Sequence, residues 1–197
     1  MTETMLFKAL SGGDRSERLN LDCLNISHRP LPNPLPLTQT QLEQRMYSNH
    51  EGYNDSIHGY YLEDLAVGMS ASHAKTVTET DVVMFAGLTG DNNPVHCNEV
   101  FAAQTQFKSR IAHGMFCAGL ISCVAGTRLP GPGCIYVDQQ LRFKAPVRIG
   151  DTVTATCTIQ EINQERRRVV MSTICMVADK IVVEGVATFM VSRRAKS

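Results

Sequence analysis

Residues 114–129 read GMFCAGLISCVAGTRL, from Gly114 to Leu129. No charged residue precedes Arg128, and the run is apolar nearly all round. That pattern marks a helix buried on most sides rather than along one stripe. Ala118, Gly119, Ser122, Ala125 and Gly126 are small, so a surrounding wall can approach this helix closely. Pro130, Gly131, Pro132 and Gly133 follow at once and end it.

Downstream of the helix the period changes from helical to two. Ile135, Val137, Leu141 and Phe143 alternate with Tyr136, Asp138, Gln140 and Arg142, the signature of a half-buried strand. Val153, Ala155, Cys157 and Ile159 alternate with polar neighbours in the same way. Val169–Val177 and Ile181–Val191 complete a set of four strands. Turn signals stand at Ile149-Gly150-Asp151, near Asn163 and at Ala178-Asp179-Lys180. Short connections between successive strands imply antiparallel pairing. One buried helix against such a sheet is an α+β fold.

Upstream, Met69–Val77 is expected as a first strand. Thr78 with Asp81 three residues on is a capping-box variant. It opens a short helix over Val82–Leu88, which Gly90 stops. A second short helical stretch is expected over Glu99–Gln104. Residues 1–57 differ from everything that follows. Arg29–Leu37 alternates proline with other residues, which suits neither a helix nor a central strand. The expected organisation is a flexible N-terminal extension over 1–57 and one domain over 58–197. Glu3, Asp14, Glu17 and Asp22 are out of place in a mitochondrial presequence.

Composition narrows the class. Of the 197 residues, 43% are hydrophobic and 19% charged, enough apolar material for one ordinary core. The formal net charge is +0, against the basic face expected of a nucleic-acid binder. No apolar run approaches the roughly 20 residues of a membrane span. The seven cysteines form no C-x-x-C pair and no secretory segment precedes them, so reduced thiols in the cytoplasm are expected.

Between the short helices, residues 90–96 read Gly-Asp-Asn-Asn-Pro-Val-His. Asp91 and His96 place a carboxylate and an imidazole five residues apart in a loop rich in Gly, Asn and Pro. Such a pair can do acid/base work. It can equally be a turn residue and a surface histidine. Gly114 lies at the start of the long helix, where amide N–H groups lack intrahelical acceptors and the helix dipole favours negative charge. A glycine there also serves close packing. His113 reads more simply as a satisfied buried histidine than as a catalyst. Metal ligation is not expected, because His50, His58 and His73 show no ligand spacing. No base is assigned to Cys97 or Cys117, so a cysteine nucleophile is not expected either.

Taken in order, four blocks resemble the MaoC-like hydratases and dehydratases. They are Phe85–His96, Ile111–Met115, Leu129–Gly133 and Phe143–Asp151. The resemblance covers about residues 60–193, and the nearest likeness is to single-domain (R)-specific enoyl-CoA hydratases and (R)-3-hydroxyacyl thioester dehydratases. It implies a hotdog fold, in which a long central helix is wrapped by a curved antiparallel β-sheet. It also implies a homodimer with sites at the subunit interface.

By the same resemblance, Asp91 and His96 are the catalytic pair that activates water. Gly114 is the oxyanion donor and Ser122 belongs to the substrate site, although a helical serine can also bond back to a carbonyl. Asn93 and Pro94 shape the loop. No cofactor is implied, since coenzyme A or acyl carrier protein is part of the substrate. Arg142, Lys144, Arg148 and the run Arg166–Arg168 are candidates to meet its phosphates or an acidic carrier, or else form solvated strand faces. The alternatives are a carrier-protein dehydratase with the same pair, a thioesterase on the same fold, and a non-catalytic thioester binder.

Overall fold

Five antiparallel strands and one 14-residue helix dominate residues 57–195, the part of the chain described by the computed structural model. The expected N-terminal extension, apart from Ile57, lies outside the described residues. The strands are β1 (Ser70–Thr76), β2 (Ile135–Phe143), β3 (Thr152–Asn163), β4 (Arg168–Val177) and β5 (Lys180–Met190). Their order in the sheet is β1-β3-β4-β5-β2, every neighbouring pair antiparallel. The helices are α1 (Glu79–Thr89), α2 (Pro94–Cys97), α3 (Glu99–Gln104) and α4 (Gly114–Thr127). None of the described helices is long and apolar enough to cross a membrane.

Alternation sets the core face of the sheet. Val153, Ala155, Cys157 and Ile159 of β3, with Val169, Met171 and Cys175 of β4, are completely buried. They join Cys117, Ile121 and Val124 of α4 in one cluster. Each large apolar side chain buried in this way contributes about 1.5–3 kcal/mol. On the other face, hydroxyls pair across β1 and β3: Ser72 with Thr156 at 2.8 Å and Thr76 with Thr152 at 2.7 Å. These cross-strand pairs fit the observed register of β1 against β3.

Two expectations are corrected. The long helix is not buried on most sides, because Met115, Gly119, Ser122 and Gly126 form an exposed stripe. Only its Cys117–Ala125 face is covered by the sheet. In β2 the expected alternation breaks at Val137, where the register against β5 slips between Tyr136 and Asp138. The bulge leaves Val137 44% exposed, and the Tyr136 ring packs on buried Phe189 at 4.5 Å.

Candidate active site

Local capping fixes the position of Asp91. Thr78 Oγ1 accepts from Asp81 N–H at 3.2 Å and Asp81 Oδ2 accepts from Thr78 N–H at 2.8 Å. This closed capping box starts α1 three residues earlier than the apolar pattern alone suggests. Gly90 ends α1 in the left-handed region with φ 77°, a conformation glycine adopts at little cost. The chain then enters Asp91, whose N–H donates to Thr89 Oγ1 at 3.2 Å. Asp91 Oδ1 in turn accepts from Asn93 N–H at 3.3 Å.

His96 is carried by a helical turn rather than by the expected loop. Asn93 caps α2, its Oδ1 accepting from Val95 N–H at 3.2 Å, and Pro94 opens the turn. The His96 ring is therefore folded inward and is only 9% exposed. Its Nδ1 lies 2.8 Å from the Ile111 carbonyl oxygen. A carbonyl can only accept, so Nδ1 carries the hydrogen and Nε2 of the neutral ring keeps its lone pair. That leaves Nε2 as a base.

His113 completes the cluster. It is 2% exposed, and its Nε2–H donates to the Asp91 backbone carbonyl at 3.0 Å. Its ring lies 3.9 Å from that of His96 and 4.7 Å from that of Phe85, centroid to centroid. Its Nδ1 is buried without a hydrogen-bond partner, so the histidine is only half satisfied. One polar atom from each of Asp91, His96 and His113 falls within 4.8 Å of the others.

The same three side chains are a candidate metal-ligand group among the described residues. Their ring geometry fits an ion poorly. The two imidazole planes are tilted by only 32° at 3.9 Å separation. Lone pairs lie in the ring planes, and such planes meet well beyond the roughly 2 Å of a metal–nitrogen bond.

Two cavities adjoin the cluster. The smaller, of about 280 Å³, is lined by His96, His113, Gly114, Cys117, Phe143 and Lys144, with apolar residues around them. The larger, of about 700 Å³, includes Asp91, Ser122, Phe85, Leu141 and Phe143 in its lining. The sequence-derived candidates are thus divided: His96 with Gly114 in one cavity, Asp91 with Ser122 in the other. Phe143 borders both. Gly114 is the first residue of α4, and the first hydrogen bond at this helix start is from Phe116 N–H to His113 O at 3.0 Å. The Gly114 N–H has no intrahelical acceptor.

Sequence reasoning passed over Phe85, Leu141 and Phe143 as site residues; aromatic and aliphatic side chains in regular elements look like ordinary core. The basic candidates separate clearly. Lys144 borders the smaller cavity and pairs with Glu184 at 3.0 Å. Arg148 instead holds the neighbouring loop, donating to Phe107 O at 2.8 Å and to Ser109 Oγ. Arg166 and Arg167 lie in the β3–β4 turn, away from both cavities.

Comparison with known proteins finds relatives that this chain covers over most of their length. Residues 65–189 match the model of the MaoC like domain. The chain is 59% identical over 135 residues to the (R)-specific enoyl-CoA hydratase of Rhodospirillum rubrum, covering 68% of this chain and 94% of that protein. It is 49% identical over 137 residues to the 3-hydroxybutyryl-CoA dehydratase of Methylorubrum extorquens, covering 70% and 87%. The solved unliganded R-hydratase PhaJ1 of Pseudomonas aeruginosa superposes with a TM-score of 0.66 at 42% identity, covering 69% of this chain and 88% of that one.

Proposed function

Since this chain belongs to the MaoC-like domain family and has its hotdog fold, we propose that it is an (R)-specific enoyl-CoA hydratase. It is a hydro-lyase that reversibly adds water across the 2,3 double bond of a trans-2-enoyl-CoA. The observation that carries this reading is the junction of Asp91, His96 and His113 within 4.8 Å, with His96 Nε2 left as a base.

Asp91 and His96 hold one water between them. As its oxygen bonds C3 of the enoyl group, its proton passes to the pair and the π electrons move toward the thioester oxygen. The Gly114 N–H, at the positive end of α4, stabilises that oxygen as charge builds. The pair then returns a proton to C2 and ends as it began. One such oxyanion donor is typically worth about 3 kcal/mol of barrier. The acyl chain occupies the larger cavity beside Ser122, and Asn93 and Pro94 hold the Asp91–His96 turn in shape. The reaction needs no cofactor.

Lys144, which lines the smaller cavity together with His96, offers an ammonium to the phosphates of the coenzyme A portion. The active unit is a homodimer in the cytoplasm. Edge strand β2 exposes Tyr136, Val137 and Phe143 at 37–54%, a surface suited to pairing with a second copy. The test is to follow loss of the conjugated thioester absorbance of crotonyl-CoA and of crotonyl-acyl carrier protein, with chiral analysis of the product. Faster hydration of the CoA ester to the (R)-3-hydroxy product is expected. Preference for the carrier protein would move the substrate to the dehydratases of fatty-acid synthesis.

A further inference from the structure

We propose that His113 is a positioning residue for the hydration reaction, tying the carboxylate turn to the base and to the oxyanion donor. The proposal rests on the hydratase reading above. One residue links all three parts of the machinery. Its Nε2–H holds the Asp91 carbonyl at 3.0 Å, its ring packs against that of His96 at 3.9 Å between centroids, and its backbone leads directly into Gly114.

Burial shows that packing alone does not explain this histidine. His113 is 2% exposed, yet its Nδ1 has no hydrogen-bond partner. An unsatisfied buried polar atom costs about 1–3 kcal/mol. Leucine would fill much of the space between Phe85 and His96 without that cost. What leucine cannot supply is the Nε2–H bond to Asp91. That bond crosses from the start of α4 to the turn after α1, whose own hydrogen bonds at Asp91 are otherwise local. Without it Asp91 keeps only its bonds to Thr89 and Asn93 in its own turn, while the ties from Ile111 reach Val95 and His96 instead. Misplacement of a reacting group by about 1 Å can cost about 100-fold in rate.

Two amides separate the two ring nitrogens. In His113→Gln the side-chain N–H stands near the Nε2 position and can still donate to the Asp91 carbonyl. In His113→Asn the shorter amide stands near Nδ1 and cannot reach it. Crotonyl-CoA hydration is measured for wild type, His113→Gln, His113→Asn and His113→Leu, with thermal midpoints alongside. The expected result is a kcat lowered about 100-fold in the Asn and Leu variants, with KM within about 3-fold of wild type. His113→Gln should keep kcat within about 10-fold.

Equal kcat losses in Gln and Asn that track the thermal midpoints would overturn the proposal and leave His113 a structural residue. Near-wild-type kcat in His113→Asn would overturn it as well. If His113→Leu does not fold, the Gln–Asn contrast still decides. A wild-type protein inert toward both the CoA and carrier-protein esters would count against the hydratase reading itself. An active wild type with the wrong variant pattern counts only against the role of His113.

Discussion

The ring of Phe143 lies against the α-carbon of Gly114: a β-carbon built on that glycine would stand 2.8 Å from Cε1 and 2.9 Å from Cδ1. Phe143 also borders both cavities, so the two chambers adjoin at a ring packed against the residue proposed to bind the oxyanion.

This contact makes a double-mutant test. Gly114→Ala keeps the amide N–H but pushes the Phe143 ring aside. The clash is with a side-chain ring and not with backbone, so the variant should fold. Its kcat/KM for crotonyl-CoA should fall about 10-fold, or about 1.4 kcal/mol in transition-state stabilisation. Adding Phe143→Leu removes the clash and should restore much of the loss. A Gly114→Ala enzyme unimpaired on its own would show that the ring is not coupled to the donor.

Periodicity made the sheet readable because each inner face repeats every second residue. Val153, Ala155, Cys157 and Ile159 alternate over the whole buried part of β3. The Thr78–Asp81 box was equally plain, since both partners lie within one turn. Other features depend on residues far apart in the chain. The bulge at Val137 is set by pairing with β5, and no pattern within β2 announces it. The exposed stripe on α4 holds small, uncharged residues, which suit close packing as well as exposure, so the sequence reads as buried nearly all round. Asn93-Pro94 reads as a loop signal and as a helix start alike; the structure uses it as the start. Asp91 and His96 stood out through their motif, whereas the bond from His113 to Asp91 joins segments separated by two short helices.

Gly185 should tolerate no side chain. A β-carbon there would lie 2.0 Å from the backbone oxygen of Gln140 on the neighbouring strand. Backbone in a paired strand cannot step aside as an exposed ring can. Gly185→Ala should lose about 1–3 kcal/mol of stability, the usual cost of overpacking, or more. Urea denaturation would read this as a lower midpoint. An unchanged midpoint would mean that β2 and β5 are not paired in this register.

The thiols should divide by burial. Cys97 is exposed, whereas Cys117, Cys157 and Cys175 are buried. Burial pushes the Cys157 thiol up to about 12, far from the thiolate form that reacts. Iodoacetamide at about pH 8 should alkylate Cys97 in the native protein and leave the three buried cysteines untouched, as read by peptide mass mapping. Denaturant should expose all three. Labelling of Cys157 at the rate of Cys97 would contradict the packing of α4 on β3.

The central claim is that Asp91 and His96 act together on one water. Wild type, Asp91→Asn and His96→Ala should be compared for crotonyl-CoA hydration after each is shown to be folded. The expected result is rapid hydration by wild type and a loss of about 100- to 10,000-fold in each variant, the range for removing a general acid or base. A folded variant of either residue that hydrates crotonyl-CoA at close to the wild-type rate would contradict the account.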